Sequence, residues 1–310
     1  MDKLKIGIPR ALYYYYFIDF WNYFFKDLDV ELIISPKTNK KIIQKGISIS
    51  NDEMCMSLKN YIGHVDYLKD KCDMILIPRI DNYGLNNQTC TNFLSTVDII
   101  RNIISIPILD YNIDVEHNET EQNAFIKIGT KLGLSKKEIT KRYEIAKKES
   151  GNIKDAKIKQ NLKNLKSDKI KILVVGHPYN IYDEYIGKPI INYLKQNNIE
   201  IIYSDLFPTS KALKLSKNLS HQCYFKYNKE NIGAIEICKN EIDGIIFLST
   251  FPCGPDSLVN ELVMRKINIP YLNLICDDGN VLTGFETRIE SYIDILERRK
   301  NEESIISTNG

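Results

Sequence analysis

No apolar run in this 310-residue chain is long enough to span a bilayer, so an α-helical membrane protein is not expected. Neither sign of charge is in excess. The 42 Lys and Arg against 40 Asp and Glu leave +2, which supports neither a broad nucleic-acid footprint nor a funnel for acidic ligands. No GxGxxG follows a strand and no GxxxxGK(S/T) occurs, which removes the two commonest phosphate cradles. A GxSxG elbow and an HExxH helix are also missing, which removes the usual hydrolase signatures, and with no close CxxC pair the cysteine spacing by itself is a weak signal. The opening MDKLKIGIPR reads as a strand and a turn, not as a signal peptide, so a cytoplasmic location is expected. Seven cysteines, an odd number widely spread, then point to reduced thiols or metal ligands and not to a disulfide framework.

What is present is a soluble-protein composition, 43% apolar, with enough length for two cores. Apolar runs alternate with helical patterns: strands at 4–8, 30–34, 73–78 and 106–109, and helices at 12–28, 39–46, 93–104, 119–132 and 135–165. Aromatic side chains cover nearly every face of 12–28, so that helix should be buried on more than one side. Ser50 and Glu53 stand at capping-box spacing and predict a helix from about Asn51 towards Leu68. The rhythm restarts at Lys169, with strands at 169–176, 199–203, 244–248 and 271–275 and helices at 186–196, 210–219, 230–240 and 284–298. Two rounds of strand and helix predict an α/β protein of two Rossmann-like domains, 1–150 and 151–310, with parallel sheets and an interdomain cleft. A lysine-rich helical linker joins the two.

The chain is organised around Ile245–Leu262, where a buried strand breaks at Phe251-Pro252-Cys253-Gly254-Pro255-Asp256 into an amphipathic helix. Cys253 is thereby placed at the positive end of a helix, which favours a thiolate, and thiolates bind metals. Taken singly, Cys253 reads as a small residue in a tight turn. Two further cysteines share its setting, however: Cys55 in the first turns of its helix and Cys90 past the 73–78 strand, before helix 93–104. Lys59 falls four residues after Cys55, on the same face, where its charge can steady a thiolate, although alone it reads as a solvated lysine. Three thiolates meeting in a cleft can hold an iron–sulfur cluster, or a zinc ion with an open position. Cys276, at the end of a strand, is the one additional ligand worth retaining, while Cys72, Cys223 and Cys238 are poorer candidates. His64 reads as a packing histidine, and Asp277 and Asp278 as a solvated acidic turn.

The blocks GIPRALYYYY, FWNYFF, SPKTNKKIIQKG, NDEMCMSLKNYIGHVDYL, ILIPRI, CTNFLSTVDIIR, STFPCGPDSL and TRIESYIDIL resemble the domain associated with activators of 2-hydroxyacyl-CoA dehydratases. That domain is similar to the dehydratases' iron–sulfur subunits and to double-cubane cluster proteins. The resemblance implies a low-potential cluster, [4Fe–4S] or a double-cubane relative, in low-potential electron transfer or reductive chemistry. By correspondence, the family's Cys-x-Pro-x-Lys block falls on Cys55 and Lys59, its Cys-Pro loop on Cys90, and its Phe-Pro-Cys-Gly-Pro block on Cys253. Ser57 and Thr91 replace prolines beside the first two cysteines, and Gly279 and Leu282 stand where His and Glu are common. An ATP-dependent activator or other low-potential donor and acyl-CoA are the implied partners, with no nucleic acid, and a homodimer is compatible with the aromatic first helix. If the chain is itself an enzyme, it is a reductase or dehydratase-like component. Two other readings stay open: a metal-free module binding acyl-CoA or a partner protein, and a zinc-binding protein.

Overall fold

A computed structural model describes residues 3–278 and 284–308 of the chain. Gly279 and Leu282 lie outside the described residues. Two compact units divide the chain, Met1–Ala156 with Tyr224–Lys226, and Lys157–Cys223 with Tyr227–Gly310.

In the first unit the apolar runs form β1 (Leu4–Ile8), β2 (Val30–Ile34), β3 (Met74–Asn82) and β4 (Ile108–Asp114), all parallel in the order β2-β1-β3-β4. Helices α1 (Tyr14–Phe25), α2 (Lys40–Ile49), α3 (Met56–Leu68) and α4 (Thr91–Ile103) make the crossovers. After the sheet come α5 (Glu121–Lys131) and α6 (Lys136–Asn164), the latter running unbroken through Gly151 across the division between units. α1 is covered nearly all round: Asn22 is its one exposed residue, and Phe20 and Phe24 each meet Phe125 at 4.7 Å.

Several boundaries differ from the sequence expectation. β4, expected at 106–109, spans Ile108–Asp114, the strand expected at 244–248 runs on to Thr250, and the helix expected at 284–298 runs on to Thr308. Two further differences have a visible cause. β3 does not stop at Pro78 but continues to Asn82. The Ile75 N–H bonds Pro107, beside β4, so by alternation Pro78's missing N–H faces β1, whose pairing has already ended at Ile75. No ladder bond is therefore lost. The second difference is α3, which begins at Met56 and not near Asn51. Ser50 Oγ donates back to the Gly46 carbonyl to close α2, and the Asn51 side chain takes the Glu53 N–H in a local turn. The expected capping box never forms, and Cys55 becomes the N-cap.

His64, fully buried in α3, bonds Ser35 Oγ (2.8 Å) through Nδ1 and Thr38 Oγ1 (3.0 Å) through Nε2. Burial, aided by the charge of Arg10, pushes its pKa down to about 3, so the folded chain holds it neutral. Because the unfolded chain takes up this proton below about pH 6.5 and the folded chain does not, stability is full above that pH. It should fall by roughly 1.4 kcal/mol per unit as pH drops towards 3. Denaturant melts of His64→Gln should show a shallower acid slope than wild type; equal slopes would place the acid sensitivity elsewhere.

The second unit repeats the topology. Parallel strands β5 (Lys171–Gly176), β6 (Glu200–Tyr203), β7 (Gly244–Thr250) and β8 (Tyr271–Cys276) stand in the order β6-β5-β7-β8. Its helices are α7 (Pro178–Ile181), α8 (Lys188–Gln196), α9 (Thr209–Leu215), α10 (Lys226–Cys238), α11 (Gly254–Met264) and α12 (Phe285–Thr308). Every residue of β7 is buried, as its uninterrupted apolar run demands. α12 is locked against it by the Tyr292 hydroxyl, which accepts from Ile245 N (2.8 Å) beside Gly244, where a Cβ would lie 2.3 Å from that oxygen. The α/β class with two parallel sheets is thus the architecture that the sequence pattern predicts.

Candidate functional site

In each sheet the strand order reverses beside one central strand, between β1 and β3 and between β5 and β7. Crevices at such reversals, beyond the carboxyl ends of the strands, are where open α/β sheets bind ligands. Cys90 caps α4, the helix that follows β3, and Cys253 caps α11, the helix that follows β7. The two cysteines therefore occupy equivalent positions of a repeated topology. Cys55 caps α3. All three have extended backbone, with φ and ψ of −64° and 150°, −74° and 160°, and −95° and 104°, and none makes a side-chain capping bond. Each thiol thus sits where first-turn N–H groups lack helical acceptors and where the helix dipole favours negative charge.

Within the first unit two of these helix starts adjoin. Asn92, in the first turn of α4 after Cys90, donates its amide to Cys55 Sγ at 3.4 Å. Its own backbone carbonyl accepts from Thr96 Oγ1, whose other neighbour is the Tyr13 hydroxyl at 2.7 Å. Tyr13 also donates to the Phe93 carbonyl (3.0 Å), tying the segment after β1 to α4. Burial, then Tyr61, and to a smaller degree Cys90, raise the pKa of this phenol. The loop to Cys90 is braced by Thr89, whose Oγ1 donates to the Ile80 carbonyl at 2.5 Å. Lys59 is not the solvated lysine that it would be if read alone: it is 3% exposed, one turn along α3 from Cys55.

Of the remaining cysteines, Cys72 donates to the Leu68 carbonyl and Cys223 is buried. Cys238 donates to the Ala234 carbonyl, and burial with Glu241 pushes its thiol up to about 12. Cys276, retained from sequence as an additional ligand, is fully buried, and burial with the charges of Asp277 and Asp183 pushes its thiol up to about 12. Asp277 and Asp278 are exposed. His64 is the packing histidine already described. Among the described residues, no three His, Cys, Asp or Glu side chains stand together as a metal site.

Beside Cys253 lies a polar cluster that sequence reasoning did not find. His177, the residue that follows β5, bonds Asp256 Oδ1 through Nε2 at 3.0 Å, and Asn228 Nδ2 donates to the same oxygen at 2.7 Å. His177 stacks on Tyr179 (4.8 Å, 13°) and meets Tyr227 edge-on. The pair is buried, with His177 5% and Asp256 3% exposed. Burial alone would raise the Asp256 pKa; the His177 charge and hydrogen bonds from His177, Asn228 and the Cys253 thiol outweigh it and hold the carboxyl below its usual range. Asp256 Oδ2 is buried, and neither His177 nor Asn228, which both bond Oδ1, reaches it. The signal available in the sequence was Asp256 three residues after a helix-capping cysteine. Its partner became visible only once β5 and β7 were known to be neighbours.

No helix among the described residues is long and apolar enough to cross a membrane. Curated proteins include no match to this sequence. Among solved structures, a mutant of the laminin-binding adhesin Lmb from Streptococcus agalactiae is 9% identical with TM-score 0.29, covering 96% of this chain and 97% of that one. ZnuA is 10% identical with TM-score 0.25, covering 96% and 99%. The C-terminal domain of glucosamine-fructose-6-phosphate aminotransferase from Francisella tularensis is 11% identical with TM-score 0.25, covering 95% and 85%. Likenesses at this level carry no inference about activity. The family model described as the CoA enzyme activase uncharacterised domain does match, over residues 5–207, a span that takes in α3 with Cys55 and Lys59, the turn to Cys90, and β5 with His177. On that match, the chain belongs to the CoA enzyme activase uncharacterised domain family.

Proposed function

We propose that this chain is an iron–sulfur protein of the activase-related kind, with Cys55, Cys90 and Cys253 as ligands, serving low-potential electron transfer or reductive chemistry with an enzyme partner. The observation that carries the reading is the shared setting of the three thiols, each at the N-cap of a helix, two of them at equivalent reversals of strand order. The donor chemistry suits such a group, soft sulfur at electropositive helix ends with an amide N–H directed at Cys55 Sγ, while among the described residues no three ligands stand together as a metal site.

A bound cluster would supply one-electron chemistry at a potential set by the charges and hydrogen bonds around its sulfurs. Cys55, Cys90 and Cys253 would be its ligands. The first-turn N–H groups of α3, α4 and α11 would favour the negative charge of bound thiolates, Asn92 already donates to Cys55 Sγ, and Lys59, buried one turn along α3, would offset that charge. Electrons would come from an ATP-dependent activator or another low-potential donor, since phosphate-binding loops are missing from the sequence. An acyl-CoA is the substrate class in keeping with the family. Anaerobic reconstitution with iron and sulfide, followed by metal and sulfide analysis and a visible spectrum, tests the proposal. Brown protein with stoichiometric iron and sulfide is expected. Colourless, iron-free protein would sink it, and zinc retained after purification in air would favour a zinc site instead.

A further inference from the structure

We propose that β8, the outer strand of the second unit's sheet, is a homodimer surface, at which two copies of the chain pair β8 to β8 in antiparallel fashion about a two-fold axis through Asn273. This surface is independent of the cysteine ligands. α1, the aromatic helix with which a homodimer is compatible from sequence, is already covered, so its rings do not form an open contact face.

An open edge strand presents unpaired N–H and C=O groups, and chains ordinarily blunt such edges with charged side chains, proline or a bulge. Three of the four outer strands follow that pattern: β2 carries Glu31, β4 carries Asp110 and Asp114, and β6 carries Glu200. β8, reading YLNLIC, has no charge and no proline, and its register with β7 runs without a shift from Tyr271 to Cys276. The Ile245 N–H bonds the Pro270 carbonyl and the Phe251 N–H bonds the Cys276 carbonyl, so the even-numbered residues of β8 face β7. By alternation Tyr271, Asn273 and Ile275 direct their backbone groups outward, where no described strand or bridge meets them. The side chains of Tyr271 and Ile275 are open as well, at 45% and 46% exposure.

A second copy is the occupant that the strand itself fits. Antiparallel pairing about an axis through Asn273 sets Tyr271 opposite the partner's Ile275 on either side of the axis, an aromatic against a β-branched side chain, and each opposed outward pair exchanges both N–H···O bonds. Asn273 Oδ1, buried without a hydrogen bond, then lies opposite the partner's Asn273 amide. Charge selects the direction. Exposed Arg265 and Lys266 precede the strand and exposed Asp277 and Asp278 follow it, so antiparallel pairing sets the basic end of each copy beside the acidic end of the other, whereas parallel pairing would bring like ends together. Arg265 is also bonded to Glu261 of α11. Arg288 reaches the Asn273 carbonyl from α12 at 2.6 Å, which leaves that oxygen a second lone pair for the partner's N–H. The two Arg288 side chains approach across the axis, but both are exposed, and solvent screening keeps their repulsion small.

Sedimentation velocity of the full chain under reducing conditions, over a range of micromolar concentrations, reads the association. Wild type should sediment as a dimer. Ile275→Lys, which sets a charge against the Tyr271 ring at both ends of the pairing, should be monomeric over the same range. Leu258→Lys, at an exposed apolar residue of α11 outside the strand, should remain dimeric. Mild oxidation reads the register. Asn273→Cys stands opposite itself across the axis, about 5.5 Å apart between Cα atoms, and should give a disulfide-linked dimer above the wild-type background, whereas Tyr271→Cys, opposite Ile275, should not. Should Ile275→Lys not fold, the contrast between Asn273→Cys and Tyr271→Cys carries the test. Wild type that stays monomeric throughout the range would overturn the proposal, and so would a dimer that survives Ile275→Lys or that cross-links as readily through position 271 as through position 273.

Discussion

Chains carrying Cys55→Ser, Cys90→Ser or Cys253→Ser should each lose most of the iron that the wild-type chain takes up on anaerobic reconstitution. Serine matches cysteine closely in size, and its hydroxyl can cap a helix where the thiol did not, so folding should survive or improve slightly at these three N-caps. What changes is the donor: an alkoxide is hard and forms only at high pH, whereas a thiolate at a helix N-terminus is soft and forms readily. Cys238→Ser provides the contrast. Its thiol, pushed up to about 12 and bonded to Ala234, should leave iron content unchanged even if stability falls. Iron and sulfide assays on the four variants, with circular dichroism to confirm folding, give the answer. Full iron retention in any of the three N-cap variants would remove that cysteine from the ligand set, and retention in all three would end the proposal of a cysteine-held cluster.

Gly63→Ala should destabilise the first unit by about 3 kcal/mol, because α2 and α3 cross backbone to backbone. A Cβ at Gly63 would lie 2.2 Å from the Ile42 carbonyl oxygen and 3.1 Å from Gly46 N, and one at Gly46 would lie 2.0 Å from the Lys59 carbonyl oxygen. None of these atoms belongs to a flexible side chain that can swing aside. The helices would have to part, exposing Ile42 and Ile43 and moving the turn that carries Cys55 and Lys59. For a unit of this size the loss corresponds to roughly 10 °C in the first-unit transition. Gly151→Ala is the matched control. Nothing lies within 4 Å of the added carbon there, so that helical glycine should gain up to about 1 kcal/mol. Calorimetry that found both variants melting together would contradict the close crossing, and a Gly63→Ala chain of normal stability that failed to take up iron would place the effect on α3's position alone.

Much of the fold was legible because its signals are local. Eight apolar runs give eight strands, and parallel pairing follows from the helices between them. Pro78 and the Ser50–Glu53 pair misled for the same reason: each signal is valid only if a particular partner is present. The missing N–H of Pro78 faces a side where β1 no longer pairs, and the Ser50 hydroxyl is already used by the end of α2. Lys59 looked solvated because no property of the residue itself announces the Gly46–Gly63 crossing that covers α3.

From the order of its residues alone, the chain determined its strands and helices, its α/β class, and the three cysteines that stand at helix starts. These depend on periodicity, on glycine and proline, and on near neighbours. Strand order decided the rest: that Cys90 and Cys253 occupy equivalent reversals, and that His177 reaches Asp256 across 79 residues. Such pairings arise because parallel strands adjacent in space are separated in sequence by whole crossovers, so the side chains at their carboxyl ends meet only after the sheet has assembled.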